Sequence, residues 1–344
     1  MSRNNLLYNP PVRVAAILHP YEHDRVLEPF RLPGANVFRG NSLEPGDLPE
    51  AAIVFGGDGS VHRVIQALAG SECPLLVVPT GSGNDFANAI GIESVADALR
   101  AWKAFLGGDR NTRTIDLGVI TPMSERPAVQ DENAVPMHSQ TFVREDGTFE
   151  KPKEKLAPAI MRQHLHFLYE AINSERYFCC VAGAGLDSET TRVANRWPAW
   201  LRRSGGYLIC AIISLFRYRA QKMTISLPDN EGSFRARISE PALFVAIGNS
   251  PSYGGGMRIA ARAQLDDAAL DVCFVRNAAK SRILRILHTV FRGTHVQLPE
   301  VEYFTAADLW LESDSPLPIY ADGEYICDTP AEIRVRARSL RLIV

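Results

Sequence analysis

Val54-Phe55-Gly56-Gly57-Asp58-Gly59-Ser60 and, further along, Pro79-Thr80-Gly81-Ser82-Gly83-Asn84-Asp85-Phe86 decide how this chain folds. Each stretch carries a short apolar run, residues 52–55 or 75–78, through a glycine turn and toward a segment with helical spacing. Residues 61–69 and 95–105 have that spacing, and residues 12–18 form another buried-strand candidate. Strands alternating with helices in this way predict a parallel-sheet α/β domain. Glycines let backbone N–H groups approach a polyphosphate closely, and the N-terminus of the following helix favours its negative charge. Taken alone, either turn is equally well a tight strand-to-helix connection. Two of them, each with an Asp, at the carboxyl ends of parallel strands where such sheets bind ligands, favour a phosphate site. Neither fits GxxxxGK[ST], nor GxGxxG between strand and helix, and the HRD and DFG signatures of protein kinases are absent.

Farther along, the rhythm changes. From about Arg176 the strand candidates come closely spaced, at residues 177–181, 223–227, 234–238, 243–247 and 270–275, which predicts a mostly antiparallel second domain. Between the two patterns, residues 122–155 are rich in Pro, Glu, Gln and Ser and read as a surface excursion, and residues 157–172 regain helical spacing.

With 344 residues, 46% of them hydrophobic and 22% charged, the chain can bury a large core and has room for two domains. A net charge of -2 and a pI near 6.5 exclude a protein whose main work is neutralising nucleic-acid phosphates. The six cysteines show no CxxC spacing and read as buried thiols of a reducing compartment. Residues 1–11 lack the apolar core of a signal peptide. The longest apolar run, 207–216, falls well short of the roughly 20 residues that span a bilayer. A cytoplasmic location is the expectation.

The two glycine turns resemble the GGDGT and PxGTxND motifs of the diacylglycerol kinase catalytic-domain family, which includes bacterial soluble diacylglycerol kinases and sphingosine and ceramide kinases. The likeness runs on through Ile115-Asp116-Leu117-Gly118, Gly183-Ala184-Gly185-Leu186-Asp187, Gly248-Asn249, Tyr253-Gly254-Gly255-Gly256-Met257, the acidic turn 265–271 and Asp322-Gly323-Glu324. It covers nearly the whole chain except the insert.

The resemblance implies an α/β plus β fold. An NAD-kinase-like nucleotide domain would span residues 1–119, completed by residues 331–344. A partly mobile insert would occupy residues 120–172, and a β-rich sandwich binding a lipid substrate residues 173–330. It implies an ATP-dependent lipid kinase phosphorylating a hydroxyl of a diacylglycerol-like or sphingoid lipid. ATP would lie on Gly56, Gly57, Asp58, Gly59, Ser60, Gly81, Ser82 and Asn84. Asp58, Asp85 and Asp116 would organise water and Mg2+ around its phosphates, in keeping with the positioning and charge neutralisation that phosphoryl transfer needs. Glu324 would accept the proton of the substrate hydroxyl, with the Asp322 carboxylate beside it. As a local feature, Asp322-Gly323 between apolar runs is equally a hairpin turn.

A second, structural Mg2+ would sit on Asp267 and the carbonyls of Gln264 and Ala269, in a turn where Ala268 replaces the family's usual glycine. His19-Pro20-Tyr21-Glu22-His23 departs from the family's Asn-Pro-x-x-Gly turn. Residues 197–222 combine Trp197, Trp200, Leu208, Ile212, Ile213, Leu215 and Phe216 with Arg202, Arg203, Arg217, Arg219 and Lys222 at the flanks. That composition suits either an interfacial helix on a membrane surface or a core helix with solvated ends. Peripheral membrane association and a homodimer are expectations of the same standing, and no nucleic-acid partner is expected. His164 and His166 read as ordinary polar positions. Two rival functions remain: a kinase for a soluble acceptor such as NAD, and a catalytically silent lipid-binding regulator.

Overall fold

A computed structural model of the chain describes residues 12–18, 24–40, 42–44, 46–123, 175–194 and 207–344. The segment 19–23, nearly all of the insert with its 157–172 stretch, and residues 195–206 with Trp197, Trp200, Arg202 and Arg203 lie outside the described residues.

The first half is a parallel sheet. Strands β1 (Val12–Leu18), β2 (Ala35–Gly40), β3 (Ala51–Gly56) and β4 (Leu75–Pro79) lie in the order β2-β1-β3-β4, with Val14 beside Val37, Ala16 beside Ile53 and Ile53 beside Leu76. All six residues of β3 are buried, as strands covered on both faces require. Helices α1 (Asp58–Leu68), α2 (Asp85–Ala89) and α3 (Val95–Leu106) follow. Helix α1 packs Val61, Val64, Ile65 and Leu68 inward, a spacing that puts all four on one face. Ser94 caps α3 by accepting from the Asp97 amide at 3.2 Å.

Strand β5 (Thr112–Pro122) then leaves the α/β half, running three residues beyond the expected boundary at 119. The second half comprises β6 (Arg176–Phe178), β7 (Val181–Gly185), α4 (Leu186–Ala194), α5 (Tyr207–Arg217), β8 (Gln221–Pro228), β9 (Phe234–Gly248) and β10 (Leu270–Arg276). It continues with α6 (Lys280–Ile286), α7 (His288–Arg292), β11 (Val301–Ala306), β12 (Asp308–Ser313), β13 (Pro318–Ala321), β14 (Glu324–Asp328) and β15 (Ala331–Ile343). All of its neighbouring strands pair antiparallel. The chain is thus an N-terminal α/β domain followed by a β-rich domain.

One hydrogen-bonded network joins them, in the order β14-β13-β7-β9-β8-β12-β15-β4-β3-β1-β2. The join is β15. Its first residues pair antiparallel with β12 and β5, while Leu342 near its end lies parallel beside Leu75 of β4. Two buried clusters sit on the network, one mainly beneath the α/β helices and one within the β-rich half. No helix among the described residues is long and apolar enough to cross a membrane.

Three local differences from the sequence reading have physical causes. The run at 177–181 is two strands because the Cys179 and Cys180 amides donate to the Asp322 side chain. Residues 234–238 and 243–247 form a single strand, β9, because its first half pairs with β8 and its second with β7 and β10, carrying it past Pro241. Residues 333–335 and 340–344 likewise fall largely within one strand, β15, whose register shifts between Arg336 and Leu340, around a left-handed Arg338 (φ 49°).

Candidate active site

The two glycine turns meet backbone to backbone. A Cβ on Gly81 would fall 2.3 Å from the Gly57 Cα and nitrogen, and one on Gly57 would fall 2.2 Å from the Gly83 carbonyl. Only glycine permits this approach. The Asp58 amide donates to the Gly83 carbonyl at 3.1 Å, and the Thr80 amide to the Gly56 carbonyl at 3.2 Å. The turns are therefore one structure, with the N-terminus of α1 between them.

Two carboxylates extend that structure in relay. Asp58 Oδ2 accepts from the Asp85 amide at 3.2 Å and Oδ1 from the Phe86 amide at 3.0 Å, fastening the first turn to the start of α2. Asp85, itself buried, accepts from the Gly255 and Gly256 amides at 2.8 and 2.9 Å. Gly254, Gly255 and Gly256 all have left-handed φ, of 63°, 89° and 92°, in a loop closed by reciprocal backbone bonds between Tyr253 and Met257. Three consecutive left-handed residues are a conformation that side chains resist. Burial pushes the Asp58 pKa up to about 7; the Phe86 amide pulls against this, while the charges of Asp85 and Asp322 reinforce it.

Facing these turns is the β13–β14 hairpin. Asp322 and Gly323, at φ 51° and 88°, form its two-residue connection with positive φ at both central positions, as a type I′ turn requires. The Asp322 carboxylate is fully buried. It accepts from the Cys179 amide at 2.9 Å and the Cys180 amide at 2.8 Å, and lies 3.2 Å from His62 Nδ1 on α1. Expected beside Glu324 in the chemistry, Asp322 borders the same cleft and braces the hairpin. Cys179 and Cys180 cluster with it. Burial drives the Cys179 thiol well above its ordinary value. Against an opposing hydrogen bond with Cys179, burial and nearby carboxylate charge push the Cys180 thiol up to about 12. Glu324 points into the open. A Cβ on Gly59 would lie 3.1 Å from Glu324 Oε1, so this carboxylate stands directly over the first turn of α1.

Together these groups line a cleft of about 360 Å3. Gly57, Asp58, Gly59, Ser60, Gly81, Ser82, Asp85, Asp322 and Glu324 all border it, while Gly56 and Asn84 lie within the same two turns just outside its wall. Ser60 Oγ in the cleft wall, and Thr80 Oγ1 and Asn84 Oδ1 in the turns, are buried without a hydrogen-bond partner. Of these, the Ser60 and Thr80 hydroxyls can donate to a phosphate whereas the Asn84 carbonyl oxygen can only accept, and the helix N-terminus beside them favours negative charge.

Asp116 does not join this group. Its carboxylate accepts from the Ala268 and Arg338 amides, each at 2.7 Å, holding two left-handed residues in place. That bond also explains how Ala268 adopts φ 57° where a glycine would be easier. In the same acidic turn Asp267 is exposed and Oδ1 accepts from the Ala269 amide at 3.2 Å. Asp267, Gln264 and Ala269 lie outside the cleft wall.

Sequence reasoning missed Arg63. It lines the cleft one helical turn after Gly59 and is the single Lys or Arg to do so among the described residues. A lone exposed Arg on a helix gave no signal of this. A second pocket, of about 90 Å3, was also not foreseen. Its wall is apolar, built from α4, α5, β10, α6 and α7, with Leu215, Val275, Ile283 and Val290 among its side chains. Tyr253 lines both the pocket and the cleft, and its hydroxyl donates to Asp187 on α4.

Residues 42–120 match the diacylglycerol kinase catalytic domain, and residues 180–344 match the YegS C-terminal NAD kinase beta sandwich-like domain. The chain belongs to the diacylglycerol kinase catalytic-domain family. It is 29% identical over 296 residues to a diacylglycerol kinase of Mycobacterium tuberculosis, covering 86% of this chain and 76% of that one. It is 22% identical over 358 aligned positions to a diacylglycerol kinase of Bacillus subtilis, covering 100% and 97%. In fold it is similar to a crystal structure of a diacylglycerol kinase from Bacillus anthracis, with a TM-score of 0.58 at 15% identity over 96% of both chains. It is also similar to an NAD kinase from Archaeoglobus fulgidus in complex with ATP, with a TM-score of 0.50 at 10% identity over 97% of this chain and 94% of that one. A chain of this family is a kinase, a phosphotransferase of the lipid-kinase group.

Proposed function

We propose that the chain transfers the γ-phosphoryl group of ATP to a hydroxyl of a diacylglycerol-like or sphingoid lipid. The observation that carries this reading is Tyr253, which borders both the phosphate-type cleft and the apolar pocket. A polar transfer site adjoining a dry pocket suits an acceptor with a hydroxyl at one end and hydrocarbon at the other. It disfavours a soluble acceptor such as NAD, which would leave the apolar pocket unused.

In this reading the nucleotide phosphates lie on the Gly57–Ser60 and Gly81–Gly83 turns, where the N-terminus of α1, the Ser60 hydroxyl and Arg63 meet their charge. Glu324, exposed above the same helix turn, accepts the proton of the acceptor hydroxyl as the hydroxyl oxygen attacks the γ-phosphorus in line and the bond from that phosphorus to the β–γ bridging oxygen breaks, releasing ADP. Asp58 and Asp85 hold the turns in register. Each of their carboxylate oxygens already accepts a backbone amide and keeps one lone pair for a cation or its water. A Mg2+ ion accompanying the nucleotide supplies charge neutralisation as the phosphoryl group moves. For the acidic turn, Asp267 with the Gln264 and Ala269 carbonyls is a set of hard oxygens of the kind Mg2+ takes. Two residues beyond Ala269, buried Asp271 has one carboxylate oxygen, Oδ1, without a hydrogen-bond partner among the described residues.

The test is incubation of the purified protein with γ-labelled ATP, Mg2+, and either a mixed lipid extract or NAD. Label in a chloroform-soluble product supports the reading. Label in NADP alone replaces it with the soluble-acceptor kinase, and no labelled product from either arm replaces it with a silent lipid binder.

A further inference from the structure

The surface around the apolar pocket is not an ordinary one. Four of the seven large hydrophobic side chains exposed among the described residues stand on α5 and α7: Ile209 (47%), Ile213 (36%), Phe216 (57%) and Phe291 (42%). The first three recur at i, i+4 and i+7 and form one stripe, while Ala211, Ile212 and Leu215 of the same helix turn into the pocket. Helix α5 is therefore apolar on two faces, and the outer one stands exposed.

Charge is segregated at the same place. Residues 207–222 and 277–297 together carry seven Lys and Arg and no Asp or Glu, in a chain whose net charge is -2. Arg217, Arg219, Lys222, Arg285 and Arg292 are exposed. Lys280 lies over the Phe216 ring at 5.9 Å and donates to the Phe216 carbonyl, tying α6 to the end of α5. The three helices thus present exposed aliphatic and aromatic side chains with cations and no acids of their own, beside the apolar pocket.

We propose that α5, α6 and α7 form one docking face for an anionic bilayer, with the pocket opening against the lipid. Apolar side chains would enter the acyl boundary while the arginines and lysines meet anionic headgroups. An acyl chain would then pass from the membrane into the pocket, and its hydroxyl past Tyr253 into the cleft, without crossing water. The proposal rests on the lipid-kinase reading and extends it to α6 and α7, where no sequence signal pointed to a membrane. Charge complementarity favours a bilayer over a protein partner: α5, α6 and α7 carry no acidic side chain of their own, and Glu300, which reaches α6, is already paired with Arg282 at 2.7 Å.

The experiment compares wild type, Phe291→Ala and the double variant Arg285→Glu with Arg292→Glu, all checked for equal melting temperature, in flotation with vesicles. The vesicles are phosphatidylcholine alone or an equal mixture with phosphatidylglycerol, at low and high salt. Wild type should float with the mixed vesicles, less with phosphatidylcholine, and less at high salt. The double variant should bind at least about tenfold more weakly, since each cation near such a surface contributes about fivefold, and Phe291→Ala should also bind more weakly. Both variants should phosphorylate a short-chain diacylglycerol dissolved as monomers at the wild-type rate. Flotation needs no catalysis, so a protein that binds anionic vesicles yet labels no lipid would sink the kinase reading and leave the docking face standing. Equal flotation of all three proteins overturns the proposal, as does a wild type that ignores anionic vesicles. A wild-type dimer that the charge reversals dissociate, without any vesicle binding, would assign the face to a second copy of the chain instead.

Discussion

Asp322 Oδ2 stands 3.2 Å from His62 Nδ1, and this contact joins helix α1 of the nucleotide-type half to the hairpin that carries Glu324. The same carboxylate accepts the Cys179 and Cys180 amides, so three elements are set by one buried group. Geometry at the cleft is thereby shared: a shift of α1 would be felt at Glu324.

Replacing Asp322 with Ala should therefore act on folding before chemistry. Two buried amides lose their acceptor, and each orphaned group costs about 1–3 kcal/mol. Urea unfolding should show a loss of about 3 kcal/mol or more. A variant within about 0.5 kcal/mol of wild type, the scale of surface changes, would remove the bracing role.

Asp58 gives a pH signature. Its pKa is raised from 3.8 to about 7, so the folded state holds this proton more tightly than the unfolded chain. Its contribution to stability is fully present below the unfolded value and is lost as pH rises through the folded one. Asp58→Asn removes that dependence and leaves one of two amides, those of Asp85 and Phe86, without an acceptor. Wild type should be the more stable at about pH 5, with the gap narrowing toward about pH 8. Melting curves that stay parallel across this range would contradict the assignment.

Much of this was legible in the residues. Strands β3 and β4 were visible as apolar runs ending in glycine, and the two turns, the Asp322-Gly323 hairpin and the β-rich second half all follow from local pattern. What was not legible depends on distant partners. Nothing between 177 and 181 shows that two amides will be claimed by Asp322, and nothing in Asp116 shows that its oxygens will be claimed by Ala268 and Arg338 rather than turned toward phosphate. Arg63 and the wall of the apolar pocket become recognisable only when the helices that carry them are packed.

Arg63 carries the third prediction. In a cleft bordered by Asp58, Asp85, Asp322 and Glu324 it is the cation available to a phosphate among the described residues. Arg63→Ala should raise KM for ATP by about tenfold or more, the scale of one charge-assisted hydrogen bond, with partial rescue by added guanidinium. An unchanged KM would make Arg63 a solvated helix residue.

Phosphoryl transfer at this cleft is tested most directly by the lipid-kinase rate of Glu324→Gln. The substitution keeps size and hydrogen bonding and removes the basic charge, at an exposed position that braces nothing. With Glu324 as proton acceptor, kcat should fall by about 10²-fold or more, while ATP affinity and melting temperature stay close to wild type. Full kcat in this variant would contradict the mechanism, and loss of ATP binding instead of turnover would make Glu324 a nucleotide contact.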